Sequence, residues 1–249
     1  MRGIDKSFFG VEALRGVTFE LAAGEVHALV GENGAGKSTL IKILCGVLPS
    51  DRGEILLQGQ PVAFAEPSDA YNAGLAVIHQ ERQLVRQLTV AENVWLGRLP
   101  ARRPLGGFSF LDRRRMVTRT RDLFERLGVR IDARASVASL SAAEQQLVEI
   151  AKALSVEARI LVMDEPTASL EAHEVETLLS LIRRLKAQGS GVIFISHKID
   201  EVLEIADRVT ILRDGEVVAS RARSELTPEE LIRLIVGRDV RALYTKEEH

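Results

Sequence analysis

The chain contains very little cysteine and few aromatic residues. Of its 249 residues, one is a cysteine, one a tryptophan and two are tyrosines, and aromatic residues make up 4%. Because Cys45 has no second cysteine to pair with, an internal disulfide is excluded and a reducing compartment is expected. Cys45 also follows apolar residues at helical spacing, so we expect a buried core thiol rather than a reactive one.

Long apolar segments are missing too. No apolar run approaches the roughly 18 residues that a membrane-spanning helix requires. The first residues, Met1 to Lys6, carry no apolar stretch of the kind found in signal peptides. We therefore expect the chain in the cytosol or on the cytosolic face of a membrane.

An excess of one charge is absent as well. The sequence holds 33 basic and 35 acidic residues, which leaves a net charge of -2. Nucleic-acid-binding proteins usually carry a concentrated positive field, so we expect no nucleic-acid partner. Hydrophobic residues at 46% and charged residues at 27% are typical of a soluble globular protein, and the length is ample for a buried core.

Short apolar strands alternate with amphipathic helices along most of the chain, which predicts an α/β fold. Val26–Val30 is a candidate buried strand that leads into a glycine-rich loop. From about 84 to 157 the strand pattern disappears and only helices are predicted. The pattern beyond the loop predicts a helix over 37–47, a strand over 55–57, a helix over 67–73, a strand over 76–79, helices over 113–127 and 141–154, strands over 160–163, 192–195, 209–212 and 217–219, and a last helix after Thr227 that ends at Gly237.

Local signals mark the ends of several of these elements. Asp51-Arg52-Gly53, Gln58-Gly59 and Asp214-Gly215 are typical turn sequences, and the first two bracket a strand of a small antiparallel sheet. Thr89 and Glu92 have the spacing of a helix capping box. We expect one domain, in which 1–84 and 158–249 form an α/β core with an antiparallel β portion and 85–157 form an inserted helical subdomain.

The glycine-rich loop has a recognisable phosphate-binding pattern. It matches G-x-x-x-x-G-K-[ST], the Walker A loop, in the residues Gly31, Glu32, Asn33, Gly34, Ala35, Gly36, Lys37, Ser38 and Thr39. Its glycines let backbone N–H groups turn towards an anionic phosphate, and the following helix directs its positive end there. Lys37 would reach the β- and γ-phosphates, and the Ser38 hydroxyl would bind Mg²⁺.

Two acids follow the apolar run over 160–163. Asp164 and Glu165 would stand at the carboxyl end of a buried parallel strand, where ligands of open α/β sheets bind. Asp164 would hold Mg²⁺, and Glu165 would orient and deprotonate an attacking water. The alternative is that both are ordinary strand-end acids that cap the next helix.

Two other polar residues follow predicted strands. Gln80 comes after Val77-Ile78-His79, and His197 comes after Phe194-Ile195-Ser196. Both are therefore expected along the sheet edge that carries the phosphate. Taken singly, each of them is also explained by a structural hydrogen bond.

One further segment separates this chain from most other phosphate-loop proteins. Leu140-Ser141-Ala142-Ala143-Glu144-Gln145-Gln146 follows the pattern LS-x-x-E/Q-QQ. Together with the phosphate loop, Gln80, the acids and His197, in that order, it resembles the ATP-binding-cassette (ABC) ATPases along nearly the whole chain. Several segments are similar to the first nucleotide-binding half of bacterial importer ATPases for ribose, galactose, xylose or arabinose: VHALVGENGAGKSTLIKIL, VIHQE, AENVWLG, QQLVEIAKAL, MDEPTASL and FISHKIDEV.

The resemblance implies a P-loop NTPase of the ABC-ATPase type, with a RecA-like core, an antiparallel β portion and a helical subdomain. It implies ATP and Mg²⁺ as cofactors, and ATP hydrolysis that drives carbohydrate uptake. The implied partners are a second nucleotide-binding domain in a head-to-tail dimer, transmembrane permease subunits and, indirectly, a periplasmic sugar-binding protein. The implied location is peripheral, on the cytoplasmic face of the inner membrane.

The resemblance also implies roles for individual residues. Gln80 would sense Mg²⁺ and the attacking water, and would relay the nucleotide state to the permease. His197 would contact the γ-phosphate. Phe8 would stack on adenine, with Phe9 as the substitute, and for either residue a core aromatic is the alternative.

The same resemblance assigns the segment at Ser141 to the partner's nucleotide. Ser141, Ala142, Ala143 and Glu144 would contact the γ-phosphate held by the other domain of the dimer. Ser141 and Glu144 also have capping-box spacing, so Ser141 starts a helix in either case. If the second of the two family glycines has a backbone conformation that alanine disfavours, Ala143 would weaken dimer closure by about 1 kcal/mol.

Other features leave alternatives open. Glu171 stands where many cassettes have aspartate, which would alter signalling across the dimer. Sugar-importer ATPases usually carry two cassettes, and this chain ends about where the first cassette would stop, so we expect it to be one half of a longer protein. An ATP-binding regulatory half with weak or no hydrolysis is the second hypothesis. A nucleic-acid-linked ABC ATPase is the third, although we see neither a coiled-coil insertion nor a basic linker. The basic cluster of Arg113, Arg114, Arg115, Arg119 and Arg121 fits a solvated helix face.

Overall fold

The computed structural model describes residues 1–78, 83–102, 110–155 and 158–237, which form two larger sheets and a set of helices. The strands are β1 (Arg2–Phe8), β2 (Val11–Val17), β3 (Val26–Val30), β4 (Arg52–Leu57), β5 (Gln60–Val62), β6 (Leu75–Ile78), β7 (Ala101–Arg102), β8 (Phe110–Leu111), β9 (Ile160–Asp164), β10 (Gly191–Ile195), β11 (Arg208–Arg213) and β12 (Glu216–Ala222). The helices are α1 (Lys37–Leu44), α2 (Pro67–Asn72), α3 (Val90–Val94), α4 (Arg113–Leu127), α5 (Ala142–Leu154), α6 (Ala172–Ala187), α7 (Ile199–Ile205) and α8 (Pro228–Val236).

The six-stranded sheet has the order β12-β11-β3-β10-β9-β6. Its strands β11, β3, β10, β9 and β6 run parallel, and β12 joins β11 as an antiparallel edge. Every residue of β3 and β10 is buried, as expected for parallel strands covered on both faces. Because β3, β9 and β10 are parallel, the segments that follow them leave the sheet at the same side, at the carboxyl ends of the strands.

The four-stranded sheet has the order β2-β1-β4-β5 and is antiparallel. The turn expected at Asp51-Arg52-Gly53 is wrong, because Arg52 and Gly53 belong to β4. The pairing of β1 with β4 shifts register between Arg2 and Asp5. At this shift Gly53 has a φ of 90°, and a Cβ atom there would lie 2.5 Å from the carbonyl oxygen of Gly3. The glycine thus permits a close approach of two strands.

The expectation that 84–157 contains no strands is also wrong. β7 and β8 form a two-stranded antiparallel pair within this segment. Each has two residues, which is too short for an alternating pattern to be seen in the sequence. The helices of the segment nevertheless form most of it, with Val90 and Val94 of α3 buried in the same core cluster as Val148 of α5.

Helix boundaries agree closely with the expected ones where caps define them. α4 covers the expected residues, and the capping boxes at Thr89 and Ser141 are both confirmed. α1 ends at Leu44, earlier than expected, because the N–H of Val47 donates to the carbonyl of Lys42, five residues back, and the regular helical pattern stops. α2 likewise ends one residue early, at Asn72, with Ala73 as its C-cap.

Two sequence expectations about burial are confirmed, for Cys45 and for the arginine cluster on α4. Cys45 is buried, and burial raises the pKa of its thiol to about 12, so the thiol is protonated and inert at neutral pH. Arg113 lies 3.9 Å from Glu92 with its side chain 77% exposed, as expected for a solvated helix face. Within the described ranges, no helix has the length and hydrophobicity needed to cross a membrane.

His27 on β3 is a buried titratable group in the centre of the sheet. Its Nδ1 lies 2.6 Å from the carbonyl oxygen of Glu20, its Nε2 lies 2.7 Å from the Thr210 hydroxyl, and its ring stacks on Phe19. Burial lowers the pKa of His27 to about 4, against the opposing effect of the hydrogen bond to Glu20 and the charge of Glu25.

The depressed pKa of His27 predicts acid sensitivity. Because the folded-state pKa lies below the unfolded value of 6.5, the unfolded state binds more protons as pH falls. The contribution to stability is complete above pH 6.5 and is lost as pH falls through 4, to a total of about 3 kcal/mol. Urea unfolding of wild type and His27→Gln across this pH range measures it. The variant should show a flatter pH dependence, and identical slopes for both proteins would contradict the prediction.

Candidate nucleotide-binding site

The phosphate loop, residues 31–36, connects β3 to α1 in a tight turn. The N–H of Ala35 donates to the carbonyl of Glu32, and Gly36 is the N-cap of α1 with a φ of 105°. A Cβ atom on Gly36 would lie 2.7 Å from Leu14 Cδ2 and 2.8 Å from the carbonyl oxygen of Ala13. The loop conformation therefore requires glycine at this position.

The β11–β12 hairpin also contacts the phosphate loop. The N–H of Gly215, in the turn between β11 and β12, donates to the carbonyl of Ala35 at 3.2 Å. The Asp214-Gly215 turn is predicted by the sequence, but its contact with the loop is not, since the two segments are far apart in the chain. The loop thus contacts both β2 and the β11–β12 turn, which are themselves joined by a hydrogen bond from the N–H of Arg15 to the carbonyl of Gly215.

Lys37 bridges the phosphate loop. Its Nζ donates to the carbonyl oxygens of Gly31 at 2.8 Å and Glu32 at 3.0 Å. Partial burial lowers the pKa of Lys37, while the nearby charges of Glu165 and Asp164 act in the opposite direction. Both acids therefore act electrostatically on the Lys37 ammonium group. The residues around it are accessible to a ligand, since Glu32, Asn33, Gly34 and Ser38 are exposed.

Asp164 and Glu165 stand at the end of β9, where the sequence predicts them. Asp164 lies opposite Ile195 of β10. Glu165 follows with a φ of 48°, a left-handed conformation that is uncommon for residues other than glycine and that, outside tight turns, clusters at functional sites. Its N–H donates to the carbonyl of Ile195 at 2.9 Å, which ties the acid to the end of β10.

Glu165 and His197 meet across the ends of two strands. His197 Nδ1 lies 2.9 Å from Glu165 Oε2, with the glutamate side chain 15% exposed and the histidine side chain 70% exposed. This Glu165 oxygen has no well-aligned hydrogen-bond donor within the described part of the chain, so its contact with His197 is a close approach and not a hydrogen bond. The structure thus gathers Lys37, Asp164, Glu165 and His197 at one sheet edge.

The segment at Ser141 occupies a different element. Ser141 is the exposed N-cap of α5; its hydroxyl accepts from the N–H of Glu144, and its own N–H donates to the Glu144 carboxylate. Ala142 and Ala143 lie in the first helical turn, and neither has a positive φ. The penalty expected for alanine is therefore absent in this conformation.

The two phenylalanines at the β1–β2 turn are accessible. Phe8 is 37% exposed, with Lys6 Nζ 5.7 Å from the centre of its ring, and Phe9 is fully exposed with a φ of 50°. The core-aromatic alternative is therefore wrong for both residues. Either ring is free to stack on a flat ligand.

Two other residues singled out in the sequence are Gln80 and Glu171. Gln80 lies outside the described residues. Glu171 is the N-cap of α6, where its N–H donates to the carboxylate of Glu174 and its own side chain is 82% exposed.

Sequence reasoning missed Thr167 and Glu201, which hydrogen-bond to each other behind the acids. No local pattern signals this pair, because its members belong to separate elements.

The donor set at the sheet edge fits Mg²⁺. No cluster of three or more His, Cys, Asp or Glu side chains suited to a metal ion occurs within the described ranges. Magnesium in nucleotide sites instead uses one or two protein oxygens together with substrate phosphates. Asp164 and Ser38 supply a carboxylate and a hydroxyl of this kind.

A separate cavity lies away from this site. It has a volume of 1580 Å³ and is lined by residues at the amino ends of the parallel strands, including Glu25, Ile160 and Gly191. The phosphate loop and the acids are at the opposite ends of the same strands. We assign the site from its chemical groups rather than from cavity size, because nucleotide phosphates bind to exposed N–H groups and charges.

The fold and this edge define a class of protein. A buried parallel strand, a glycine loop, a helix headed by lysine, and acids at the end of a neighbouring strand are the features of P-loop NTPases. Residues 14–168 match the family model described as ABC transporter. The chain therefore belongs to the ABC transporter family, and the family resemblance and fold class expected from the sequence are confirmed.

Curated relatives agree over nearly the whole chain. A ribose import ATP-binding protein, RbsA 1 from Rubrobacter xylanophilus, is 55% identical over 240 residues, which cover 96% of this chain and 47% of the relative. RbsA 2 from Streptomyces avermitilis is 50% identical over 248 residues, covering 100% of this chain and 48% of the relative. The chain spans about half the length of these relatives.

Solved structures agree with the fold. An ATP-binding cassette of an ABC transporter in its ADP conformation superposes with a TM-score of 0.81 at 27% identity, covering 99% of this chain and 97% of the other. A nucleotide-free ATP-binding cassette superposes with a TM-score of 0.80 at 27% identity, covering 95% and 94%.

The loop geometry predicts different effects for two glycine substitutions. Gly36→Ala would place a Cβ against Leu14 and Ala13, so the loop must move and ATP affinity should fall by at least about tenfold. Gly34→Ala is the matched control, since Gly34 also has a positive φ of 85° but no atom lies within 4 Å of its Cβ position. Calorimetric titration with Mg-ATP measures both affinities. Equal losses in the two variants would contradict the steric explanation.

Proposed function

We propose that this chain binds Mg-ATP at the phosphate loop and hydrolyses it, and that hydrolysis drives uptake of a monosaccharide through membrane permease subunits. The observation that carries the proposal is the approach of His197 to Glu165, 2.9 Å apart, beside Lys37. A base, a polar partner and a phosphate-binding cation at one sheet edge are the groups that phosphoryl transfer to water requires.

The binding roles follow from exposure and charge. Backbone N–H groups over residues 31–39 would surround the phosphates, with the Lys37 ammonium on the β- and γ-phosphates. Ser38, Asp164 and Gln80 would hold Mg²⁺, which neutralises charge on the phosphate oxygens when bound. Phe8 would stack on the adenine ring, and Phe9 is the substitute.

Glu165 is the proposed general base. Its carboxylate accepts a proton from water as the water oxygen bonds to the γ-phosphorus, and the bond from that phosphorus to the bridging oxygen of ADP breaks. His197 lies against Glu165 and would contact the γ-phosphate. The left-handed backbone of Glu165 and its bond to Ile195 support this assignment, because both restrict where the carboxylate can lie.

A second nucleotide-binding domain completes the proposed site. Ser141, Ala142, Ala143 and Glu144 begin α5 on the helical part of the chain, and the hydrogen bonds of Ser141 within the described residues are all local. An exposed helix N-terminus is suited to an anion. We assign it to the γ-phosphate held by a partner domain in a head-to-tail dimer. The proposed division of the chain remains a core over 1–84 and 158–249 and a helical subdomain over 85–157.

The proposed cargo and partners rest on the curated relatives. Proteins named for ribose import are 50% to 55% identical to this chain. We propose the cytoplasmic face of the inner membrane as the location, with permease subunits as direct partners and a periplasmic sugar-binding protein as an indirect one. The net charge of -2 gives no support to a nucleic-acid partner.

Replacement of the proposed base tests the proposal. Glu165→Gln keeps the shape of the side chain but removes the proton acceptor, so ATP binding should persist while steady-state hydrolysis falls by at least about 100-fold. Phosphate release and nucleotide titration measure the two properties, and size-exclusion chromatography with ATP should show more dimer. Glu229→Gln, an isosteric change at an exposed residue of α8, is the control and should keep wild-type turnover. Undiminished hydrolysis in Glu165→Gln would exclude the proposed base.

A second candidate is an ATP-binding regulatory half with weak or no hydrolysis. Ala142 and Ala143 in place of two glycines favour it, although neither alanine is strained here. Hydrolysis by the isolated chain, compared with hydrolysis in the presence of permease, distinguishes the two. Tight ATP binding without turnover in both conditions would support the regulatory half.

A further inference from the structure

Behind Glu165 and His197 lies a small buried polar network that the proposed mechanism does not use. Thr167 is fully buried in the loop between β9 and α6, and its hydroxyl donates to the carboxylate of Glu201 on α7. Lys198 Nζ donates to the carbonyl oxygen of Thr167 at 3.0 Å and lies 3.0 Å from the Glu201 carboxylate. The three residues therefore form a closed ring of contacts.

The network joins two segments that are otherwise separate in the chain. Thr167 is two residues after Glu165, and Lys198 directly follows His197. The loop that carries the acid and the helix that follows the histidine are thus fastened to each other within a few residues of the site. Burial strengthens these polar contacts, since Glu201 is 9% exposed and its carboxylate is paired with Lys198 and Thr167.

The side chains of Glu165 and His197 do not by themselves fix their separation. Glu165 Oε2 lies near His197 without an aligned hydrogen bond among the described residues. The side-chain contact alone therefore does not fix the separation of acid and histidine. That separation depends on where the two backbone segments are held, and the network holds both.

We propose that Glu201, with Thr167 and Lys198, is a positioning residue for hydrolysis. The three residues hold the backbone segments of Glu165 and His197 together and so set the separation of the two side chains. This inference rests on the proposed ATPase function. The network acts through Glu165 and His197 and does not contact the phosphate loop in the described structure. Its loss should therefore lower the rate of the chemical step and leave ATP binding intact.

A matched pair of substitutions at Thr167 tests the inference. Thr167→Val keeps the size and branching of the side chain but removes the hydroxyl, whereas Thr167→Ser keeps the hydroxyl. We expect kcat for ATP hydrolysis to fall on the order of tenfold in Thr167→Val with KM for ATP unchanged, and to stay at the wild-type level in Thr167→Ser. The imidazole NMR signal of His197, assigned with His197→Gln, should shift in Thr167→Val and not in Thr167→Ser.

The outcomes are distinguishable. An unchanged kcat together with an unchanged His197 signal in Thr167→Val would overturn the positioning role, as would equal losses in the valine and serine variants. If the wild-type chain does not hydrolyse ATP, the proposed function fails, and the His197 signal still decides the positioning role. If thermal melting shows that Thr167→Val does not fold, Lys198→Gln decides instead, because the Lys198 side chain is 36% exposed and its replacement is better tolerated. Wild-type kcat and an unshifted His197 signal in that variant would overturn the inference.

Discussion

Strand β10 pairs in parallel with β3 on one side and β9 on the other, so that Ile195 lies opposite both Leu29 and Asp164. Three segments leave the sheet at this level: the phosphate loop after β3, Glu165 after β9 and His197 after β10. The approach of His197 to Glu165, on the same side of the sheet as Lys37, follows from that arrangement. Because the same strands are buried on both faces, the core that stabilises the protein also sets the geometry of its site.

Much of this could be predicted from the sequence, because the informative signals are local. A buried apolar run before a glycine loop predicts β3 and the phosphate site, and an apolar run before two acids predicts β9. Capping boxes at Thr89 and Ser141 predict helix starts to within one residue. Each of these patterns is a short stretch of neighbouring residues, so no tertiary context is needed to recognise it.

What the sequence did not predict depends on partners that are distant in the chain. Asp51-Arg52-Gly53 is a typical turn sequence, but Gly53 lies in β4 because this segment pairs with β1. The β7–β8 pair is too short to leave a pattern. The distance between Glu165 and His197, and the bond from Thr167 to Glu201, are set by packing between elements and have no periodic signature.

The central claim is that Lys37, Asp164, Glu165 and His197 form one site for the terminal phosphates of ATP. A crystal structure of the chain with Mg²⁺ and a non-hydrolysable ATP analogue tests it most directly. The account predicts the γ-phosphate in contact with Lys37 Nζ, the metal bound to Ser38 and Asp164, and Glu165 and His197 facing the γ-phosphorus. A nucleotide bound in the cavity at the opposite ends of the strands, or phosphates out of reach of Glu165, would contradict it.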